Sequence, residues 1–187
     1  VPTERVYESG KVYDMKAFDF VPTATELDAD LKIASAAELI AFANAWNAGE
    51  YTSTVEDPFV VTLTKDIALT AEDNAVWTEE VKGIGFTGTP FTGVFDGNEF
   101  TISGFASTCP LFYEVSNAPV GIVKNLTLDG AISRDLSDIT GTTNVGSMVG
   151  ISRGQIENCH SLVDITISAA TTISKNVRVG GLVAYTT

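Results

Sequence analysis

The sequence has few of the side chains that most catalytic and metal sites use. It contains one histidine, His160, and two cysteines, Cys109 and Cys159. Any catalytic triad or histidine-based metal cluster would therefore have to include His160. Two cysteines do not make a disulfide framework. They also occupy different points in the repeat described below, so we expect no disulfide between them.

Basic residues and long apolar runs are also scarce. The chain has 11 lysines and arginines against 24 acidic residues, a formal net charge of -13. Such a charge repels phosphate backbones and anionic membranes, so nucleic acid is not an expected partner. No run of about 18 apolar residues is present, and no basic and apolar leader follows Val1. We expect no membrane-spanning segment and interpret the chain as a mature or trimmed product.

Two pairs of segments in the second half of the chain repeat with nearly the same period. Gly121–Asn125 (GIVKN) recurs 33 residues later as Gly154–Asn158 (GQIEN). Val145–Gly150 (VGSMVG) recurs 34 residues later as Val179–Ala184 (VGGLVA). Periods of this order are typical of solenoids, propellers and arrays, which mostly present surfaces for binding.

Alternation after the repeated asparagine predicts which side chains face the core. If Asn158 lies at a corner, five alternating residues share the inner face: Cys159, Ser161, Val163, Ile165 and Ile167. His160 then faces outward. The same register after Asn125 places three residues inward: Leu126, Leu128 and Ile132. Stacked corners would let the two asparagine amides form a hydrogen-bonded ladder, so we interpret these residues as corner-fixing and not as ligands.

One amphipathic helix is predicted ahead of the repeats. Ser35 is a candidate N-cap with Glu38 three residues later as a capping box, and Gly49 is a stop signal. The spacing i, i+3, i+4, i+7 places four apolar residues on one stripe: Leu39, Phe42, Ala43 and Trp46. We expect no second helix of comparable quality.

Strand-like runs follow this helix and are separated by turn residues. They span residues 59–63, 100–102, 122–132 and 156–167. Asp96-Gly97-Asn98 predicts a turn in which Gly97 supplies the positive φ. Residues 1–31 have no period long enough to assign, and we interpret them as an appended extended segment before a domain at 32–187.

A unit of 33 or 34 residues accommodates about three strands of about 5–6 residues with their loops. This is one coil of a parallel β-helix, so we predict an all-β fold with the helix as its N-terminal cap. No comparable cap follows the motif at 179–184. Because an open sheet edge favours aggregation, we expect further repeats or a partner chain at this C-terminal edge.

At these motifs the chain resembles bacterial surface proteins with GLUG repeats, in which V-G-G-L-V-G precedes G-x-I-x-N-C. Residues 154–159 match throughout, whereas Ser147, Met148 and Ala184 depart from the pattern. The upstream part is also similar to what precedes such repeats, except that Glu99 replaces a glycine. Over residues 33–187 the resemblance implies a right-handed parallel β-helix in a secreted or outer-surface, adhesin-like bacterial protein.

Catalytic chemistry is not expected. Adjacent strand residues point to opposite faces, so Cys159 and His160 do not form a dyad. Asp129 and Asp164 occupy different places in their repeats, so they do not make the stacked carboxylate pair of a glycosidase or lyase. A lyase for acidic polysaccharides would also need a basic groove, and only four basic residues follow Asp129: Arg134, Arg153, Lys175 and Arg178.

The expected function is that of a non-catalytic adhesin-like module at the outer cell surface. Trp77, Phe86 and Tyr113 lie in loop-like stretches and are candidate binding residues, because aromatic rings stack on sugars. For Trp77 the favoured alternative is framework packing. The expected partner is a host or environmental glycan or glycoprotein, with no cofactor and no metal. The alternatives are a carbohydrate-recognition module of a glycan-uptake system and a polysaccharide lyase or hydrolase.

Overall fold

The computed structural model describes residues 31–86, 88–137, 139, 141–169 and 176–187. The extended segment expected at residues 1–31 lies, apart from Leu31, outside the described residues. The described chain is mostly β, and every pair of strands assigned in it is parallel. It also contains helices, so the expectation of an all-β fold is corrected to a mostly β one.

The strands are short and are spread along the whole described chain. In chain order they are β1 (Leu31–Ile33), β2 (Val60–Leu63), β3 (Ile67–Ala68), β4 (Val94–Asp96), β5 (Thr101–Ser107), β6 (Phe112–Val115), β7 (Ile122–Lys124), β8 (Thr127–Asp135), β9 (Thr143–Gly146), β10 (Val149–Ser152), β11 (Gln155–Glu157), β12 (His160–Ser168), β13 (Val177–Gly180) and β14 (Val183–Thr186). The helices are α1 (Ala36–Asn47) and α2 (Ala71–Val76), and a π-helix (Trp77–Val81) continues α2.

The strands form four sheets that the chain visits in a recurring order. Sheet 1 has the order β1-β2-β4-β7-β11, sheet 2 has β3-β5-β8-β12, sheet 3 has β6-β10-β14, and sheet 4 has β9-β13. From β7 to β10 the chain passes through sheets 1, 2, 4 and 3, and from β11 to β14 it passes through them again in that order. Each pass therefore adds one strand to the edge of every sheet.

The pairing register equals the period read from the sequence. Ile156 of β11 lies beside Val123 of β7, 33 positions earlier. Val183 of β14 lies beside Val149 of β10, 34 positions earlier. The prediction that the repeats stack as parallel strands is confirmed at both motifs.

The repeated asparagines form the predicted ladder. The Nδ2 of Asn158 donates to the Oδ1 of Asn125 at 3.0 Å, and the Nδ2 of Asn125 donates to the Oδ1 of Asp96 at 3.0 Å. Asn125 and Asn158 both adopt a left-handed backbone, with φ of 52° and 47°. Asparagine tolerates this conformation better than most residues, which explains its use at the corner between sheets 1 and 2.

The turn after β4 has a different cause from the one expected. The positive φ values belong to Asn98 (50°) and Glu99 (66°), so the prediction that Gly97 supplies this conformation is wrong. A Cβ on Gly97 would lie 2.4 Å from the carbonyl oxygen of Asn125 and 2.7 Å from Leu126. Gly97 is therefore required by the close approach of the next pass of the chain and not by its own φ.

Helix α1 has the predicted boundaries and the predicted apolar face. Ser35 is the N-cap and its Oγ accepts the N–H of Glu38 at 3.2 Å. The predicted capping box is formed only in its first half, because the Glu38 carboxylate accepts the N–H of Ala34 at 2.6 Å instead of the N–H of Ser35. All four stripe residues are buried, and Phe42 and Trp46 pack against aromatic rings of the core.

The sequence predicts no second helix comparable to α1, and the structure adds a shorter one, α2, of six residues. Thr70 caps α2 in a full capping box with Asp73, in which each side chain bonds to the backbone N–H of the other residue. The helix then widens into the π-helix, where Trp77 and Val81 are buried. In the part of the chain that the structure describes, no helix is both long enough and apolar enough to span a membrane.

The core is made of side chains from all four sheets and from the helices, and the inward side chains become less well covered toward the last strands. Leu126, Leu128 and Ile132 are buried as predicted. The inward face of β12 alternates with its outward face as predicted, but Val163 and Ile165 are only partly buried, and Ile167 is 36% exposed. The reason is that β12 pairs with β8 on one side only among the described strands.

Candidate functional site

A cleft of about 670 Å³ opens beside the π-helix. Its wall comes from segments far apart in sequence: the π-helix and the turn after it, the loop between β5 and β6, the end of β8, and strands β6, β9 and β10. Its volume lies within the usual range of ligand pockets. Its lining includes Lys82, Phe86, Cys109, Tyr113 and Arg134.

Two of the predicted aromatic residues meet at this cleft. The rings of Phe86 and Tyr113 lie 4.9 Å apart at 86°, an edge-to-face contact. Tyr113 is on β6 and not in a loop, and 39% of it is exposed. The sequence placed these residues 27 positions apart with no visible link, whereas the fold joins them into one aromatic wall.

Trp77 does not belong to this wall, so its prediction as a binding residue is corrected. Its side chain is completely buried, and its ring packs against Phe105 at 6.1 Å and 76°. The apolar ring is the anchor that holds the π-helix against the core, which agrees with the framework alternative. The indole N–H finds no hydrogen-bond acceptor among the described residues.

Asn47, the last residue of α1, fixes the turn that carries Lys82 and Phe86. Its Nδ2 donates to the carbonyl oxygens of Val81 and Gly83 at 3.0 and 3.1 Å. Its Oδ1 accepts the N–H groups of Gly85 and Phe86 at 2.9 and 3.1 Å. One side chain thus satisfies four backbone groups of a turn with no regular structure. Sequence reasoning missed Asn47, because nothing local links it to residues more than thirty positions away.

Lys82 ends the π-helix and reaches the aromatic wall. Its backbone adopts a left-handed conformation (φ 59°), and its N–H donates to the carbonyl oxygen of Trp77 at 2.8 Å. This reversal of the chain brings its Nζ to 5.7 Å from the centroid of the Phe86 ring, within cation–π range. A positive charge therefore lies beside the aromatic face.

Cys109 lies in the cleft as a protonated thiol. Burial raises the pKa of the Cys109 thiol, and this outweighs the lowering by the Ser107 hydrogen bond and by the positive charges of Arg134 and Lys82. The Sγ–Oγ distance to Ser107 is 3.1 Å. Because the thiolate is the nucleophilic form, a thiol with a raised pKa is not an activated nucleophile.

The other candidates for chemistry do not come together. His160 is exposed, whereas the Sγ of Cys159 donates to the carbonyl oxygens of Val123 and Glu157, so the two side chains form no dyad. Burial raises the pKa of the Cys159 thiol as well. Asp129 pairs with Leu162 and not with Asp164, as predicted. Within the described ranges no cluster of histidine, cysteine and acidic side chains could hold a metal ion.

The basic residues named from the sequence have different environments. Arg153 forms an ion pair with Glu114. Arg178 lies over the ring of Tyr185 at 3.9 Å and donates to Asn144 at 3.4 Å. Lys175 lies outside the described residues. Arg134 lines the cleft and has no ion pair among the described residues.

Comparisons with known proteins add one relative. The chain is 34% identical over 138 residues to Halomucin of Haloquadratum walsbyi (strain DSM 16790 / HBSQ001), and this similarity covers 67% of the chain. It spans 1% of the length of Halomucin. No protein-family model matches the chain, and no solved structure matches it.

Proposed function

We propose that this chain is a non-catalytic, adhesin-like module of a secreted or surface-exposed protein, and that it binds a glycan in the cleft beside the π-helix. The observation that carries the proposal is the wall made by Phe86 and Tyr113 inside a cleft of about 670 Å³. Aromatic rings with a polar or charged neighbour are the usual surface for a sugar, because the C–H face of a pyranose packs on the ring while its hydroxyls find donors and acceptors.

The architecture that we propose for this module is a right-handed parallel β-helix with GLUG-type repeats, capped by α1. The recurring visits to sheets 1, 2, 4 and 3 support it, as does the equality of pairing register and sequence period. The preference of parallel crossovers for the right hand supports the handedness. Such an array holds its loops at fixed spacing, which suits a module whose sheets provide rigidity and whose loops provide specificity.

An extracellular location follows from the same proposal. The acidic composition, with a formal net charge of -13, suits a protein that stays soluble outside the cell. The resemblance to surface proteins at the repeat motifs and the similarity to Halomucin over 138 residues are compatible with it. Digestion of intact cells with an external protease tests this location, and complete protection of the chain would contradict it.

Binding of the purified chain to a glycan and mucin array tests the proposed function. We expect a saturable signal for one sugar class, and we expect Phe86→Ala and Tyr113→Ala each to weaken it roughly tenfold or more, since a stacked aromatic ring contributes on the order of 1–3 kcal/mol. Tyr185→Ala is the matched control, because Tyr185 does not line the cleft. Binding that survives the loss of both rings would remove the cleft as the site.

A carbohydrate-recognition module of a glycan-uptake system would use the same aromatic wall. The uptake module and the adhesin-like module differ in whether the same glycan binds better free or immobilised. A module for uptake should bind a free oligosaccharide as tightly as the intact polymer, whereas an adhesin-like module should bind immobilised, multivalent glycans much more tightly through avidity. Titration of the same sugar in free and immobilised form separates them.

A further inference from the structure

We propose that the glycan bound in the cleft is an acidic sugar, and that Arg134 and Lys82 hold its carboxylate. This inference rests on the proposed function and extends it to the charge of the ligand. It follows from three observations: Lys82 and Arg134 line the cleft, neither of them has an ion pair among the described residues, and Lys82 lies beside the aromatic wall.

The two positive charges that line the cleft both lack an ion pair among the described residues; Lys32, Lys65 and Arg178 lack one as well, but they do not line the cleft. Elsewhere, Lys124 is paired with Asp96 at 3.2 Å, and Arg153 is paired with Glu114. Neither Lys82 nor Arg134 forms an ion pair among the described residues, although acidic residues outnumber basic ones by more than two to one. Two unpaired cations that line one cleft of such an acidic chain indicate a site for an anion.

The cleft contains one carboxylate among its described lining residues, Asp135, and that group already has partners. Its Oδ1 accepts hydrogen bonds from the N–H and the Oγ of Ser137 at 2.9 and 2.6 Å. These bonds from Ser137 lower the pKa of Asp135, so it stays ionised, but the two cations outnumber it. The charge of -13 over the whole chain does not cancel this local excess, because charges further than about 8 Å are largely screened at physiological salt.

The position of Lys82 relative to the rings fits an acidic sugar better than a simple anion. Lys82 lies beside the face of Phe86, 5.7 Å from the ring centroid, and Phe86 contacts Tyr113. A pyranose packed on these rings would place a ring carboxylate next to an ammonium group. Arg134 offers a planar fork that matches a carboxylate through two parallel hydrogen bonds. Thr108, Thr142 and Thr143 line the same cleft, and threonine hydroxyls suit the hydroxyls of a sugar.

The experiment compares acidic oligosaccharides with their carboxyl-reduced counterparts, which keep the same skeleton without the charge. Oligogalacturonate, alginate and hyaluronate oligosaccharides are titrated in both forms against the full chain, Arg134→Gln, Lys82→Gln and the charge-matched control Lys65→Gln. Lys65 is exposed and does not line the cleft. We expect at least one acidic form to bind roughly tenfold or more tightly than its reduced form, because a hydrogen-bonded charge pair contributes about this much.

We also expect Arg134→Gln and Lys82→Gln to remove this preference while Lys65→Gln retains it. Equal binding of the acidic and reduced forms would overturn the inference and leave the proposed function intact. If the chain bound only neutral glycans on the array, and Phe86→Ala abolished that binding, the inference would likewise be overturned and the proposed function would stand. No binding of any glycan, acidic or neutral, by a folded chain would overturn both proposals.

Discussion

The inner strand β8 and the last strand β12 of sheet 2 follow the same inward and outward alternation, but only β8 buries its inward apolar side chains. On β8, Leu128 is completely buried and Ile132 is 1% exposed. On β12, Val163 and Ile165 are only partly buried, and outward Leu162 is 65% exposed. The difference does not come from residue type, because β12 carries valine and isoleucine inward. It comes from neighbours: β8 lies between β5 and β12, whereas β12 pairs with β8 alone among the described strands.

The comparison teaches that a residue pattern specifies the direction of a side chain and not the depth of its burial. Helix α1 makes the contrast sharper, because Phe42 and Trp46 cover the aromatic rings near the first strands. Nothing described covers the last strands in the same way. Stability should therefore depend on position along the array even where the sequence motif is the same, and the following substitutions test this.

Three isoleucines of sheet 2 provide the strongest test. Ile102 (β5) and Ile132 (β8) are at most 1% exposed, and Ile165 (β12), which pairs with Ile132, is partly buried. We expect Ile102→Ala and Ile132→Ala each to lower the free energy of unfolding by about 2–5 kcal/mol, and Ile165→Ala by less than half as much, because its cavity would open to water. Urea denaturation measures all three. Equal losses would mean that β12 is covered in solution.

The asparagine ladder tests the same dependence on position, with smaller losses of stability that come from backbone conformation and hydrogen bonds. Asn125 makes two side-chain hydrogen bonds in the ladder and Asn158 makes one. We expect Asn125→Ala to cost about 2–3 kcal/mol and Asn158→Ala about 1–2 kcal/mol, as the sum of a left-handed backbone and the lost bonds.

Glycine variants of the ladder separate these two contributions. Because glycine adopts the left-handed conformation without strain, Asn158→Gly should recover most of the loss seen in Asn158→Ala. Asn125→Gly should recover only part of its loss, since Asp96 and Asn158 would both still lack their partner. Urea midpoints of the four variants are the measurement, and identical values for Ala and Gly would contradict the role of φ.

The smallest expected effect concerns the carboxylate at the inner end of the ladder. Burial raises the pKa of Asp96, but hydrogen bonds from Asn125, Asn98 and Lys124, together with the Lys124 charge, outweigh it and leave the pKa below its usual value. A lowered folded-state pKa stabilises the fold above the ordinary pKa and loses this effect as the pH falls through the folded value.

We therefore expect part of the stability lost between pH 7 and pH 3 to disappear in Asp96→Asn, by on the order of 1 kcal/mol. The control is Asp164→Asn, at an exposed position on β12. Urea midpoints at both pH values measure the difference. The explanation would be wrong if Asp96→Asn lost as much stability in acid as the unmodified chain.

The fold could be predicted from the sequence where a pattern is repeated or local. The periods of 33 and 34 residues, the inward face after Asn125 and the boundaries of α1 all depend on spacing that a single sequence displays. Helix α2 was not predicted although Thr70 and Asp73 form a complete capping box, because it has only six residues and its buried residue, Asn74, is polar. The role of Gly97 was misassigned because its constraint comes from Asn125, on the next pass of the chain.

The cleft could be predicted only in part, because it is made of tertiary contacts. Phe86 and Tyr113 were found as aromatic residues outside the obvious core, although their contact was not visible. Trp77 was named with them, and only the structure distinguishes its buried ring from theirs. Asn47, Lys82 and Arg134 carry no local motif. Their positions at or beside the cleft depend on where the helices and β8 end, which only the structure shows.

The parallel register has a kinetic consequence. Paired strands lie between 25 and 37 positions apart along the chain, whichever sheet they belong to. Forming each sheet contact therefore closes a chain loop of similar, moderate length, and no strand has to find a partner across the whole chain. Because the entropy of loop closure grows only slowly with loop length, successive passes should add at comparable rates, and folding should spread along the array from whichever pass forms first.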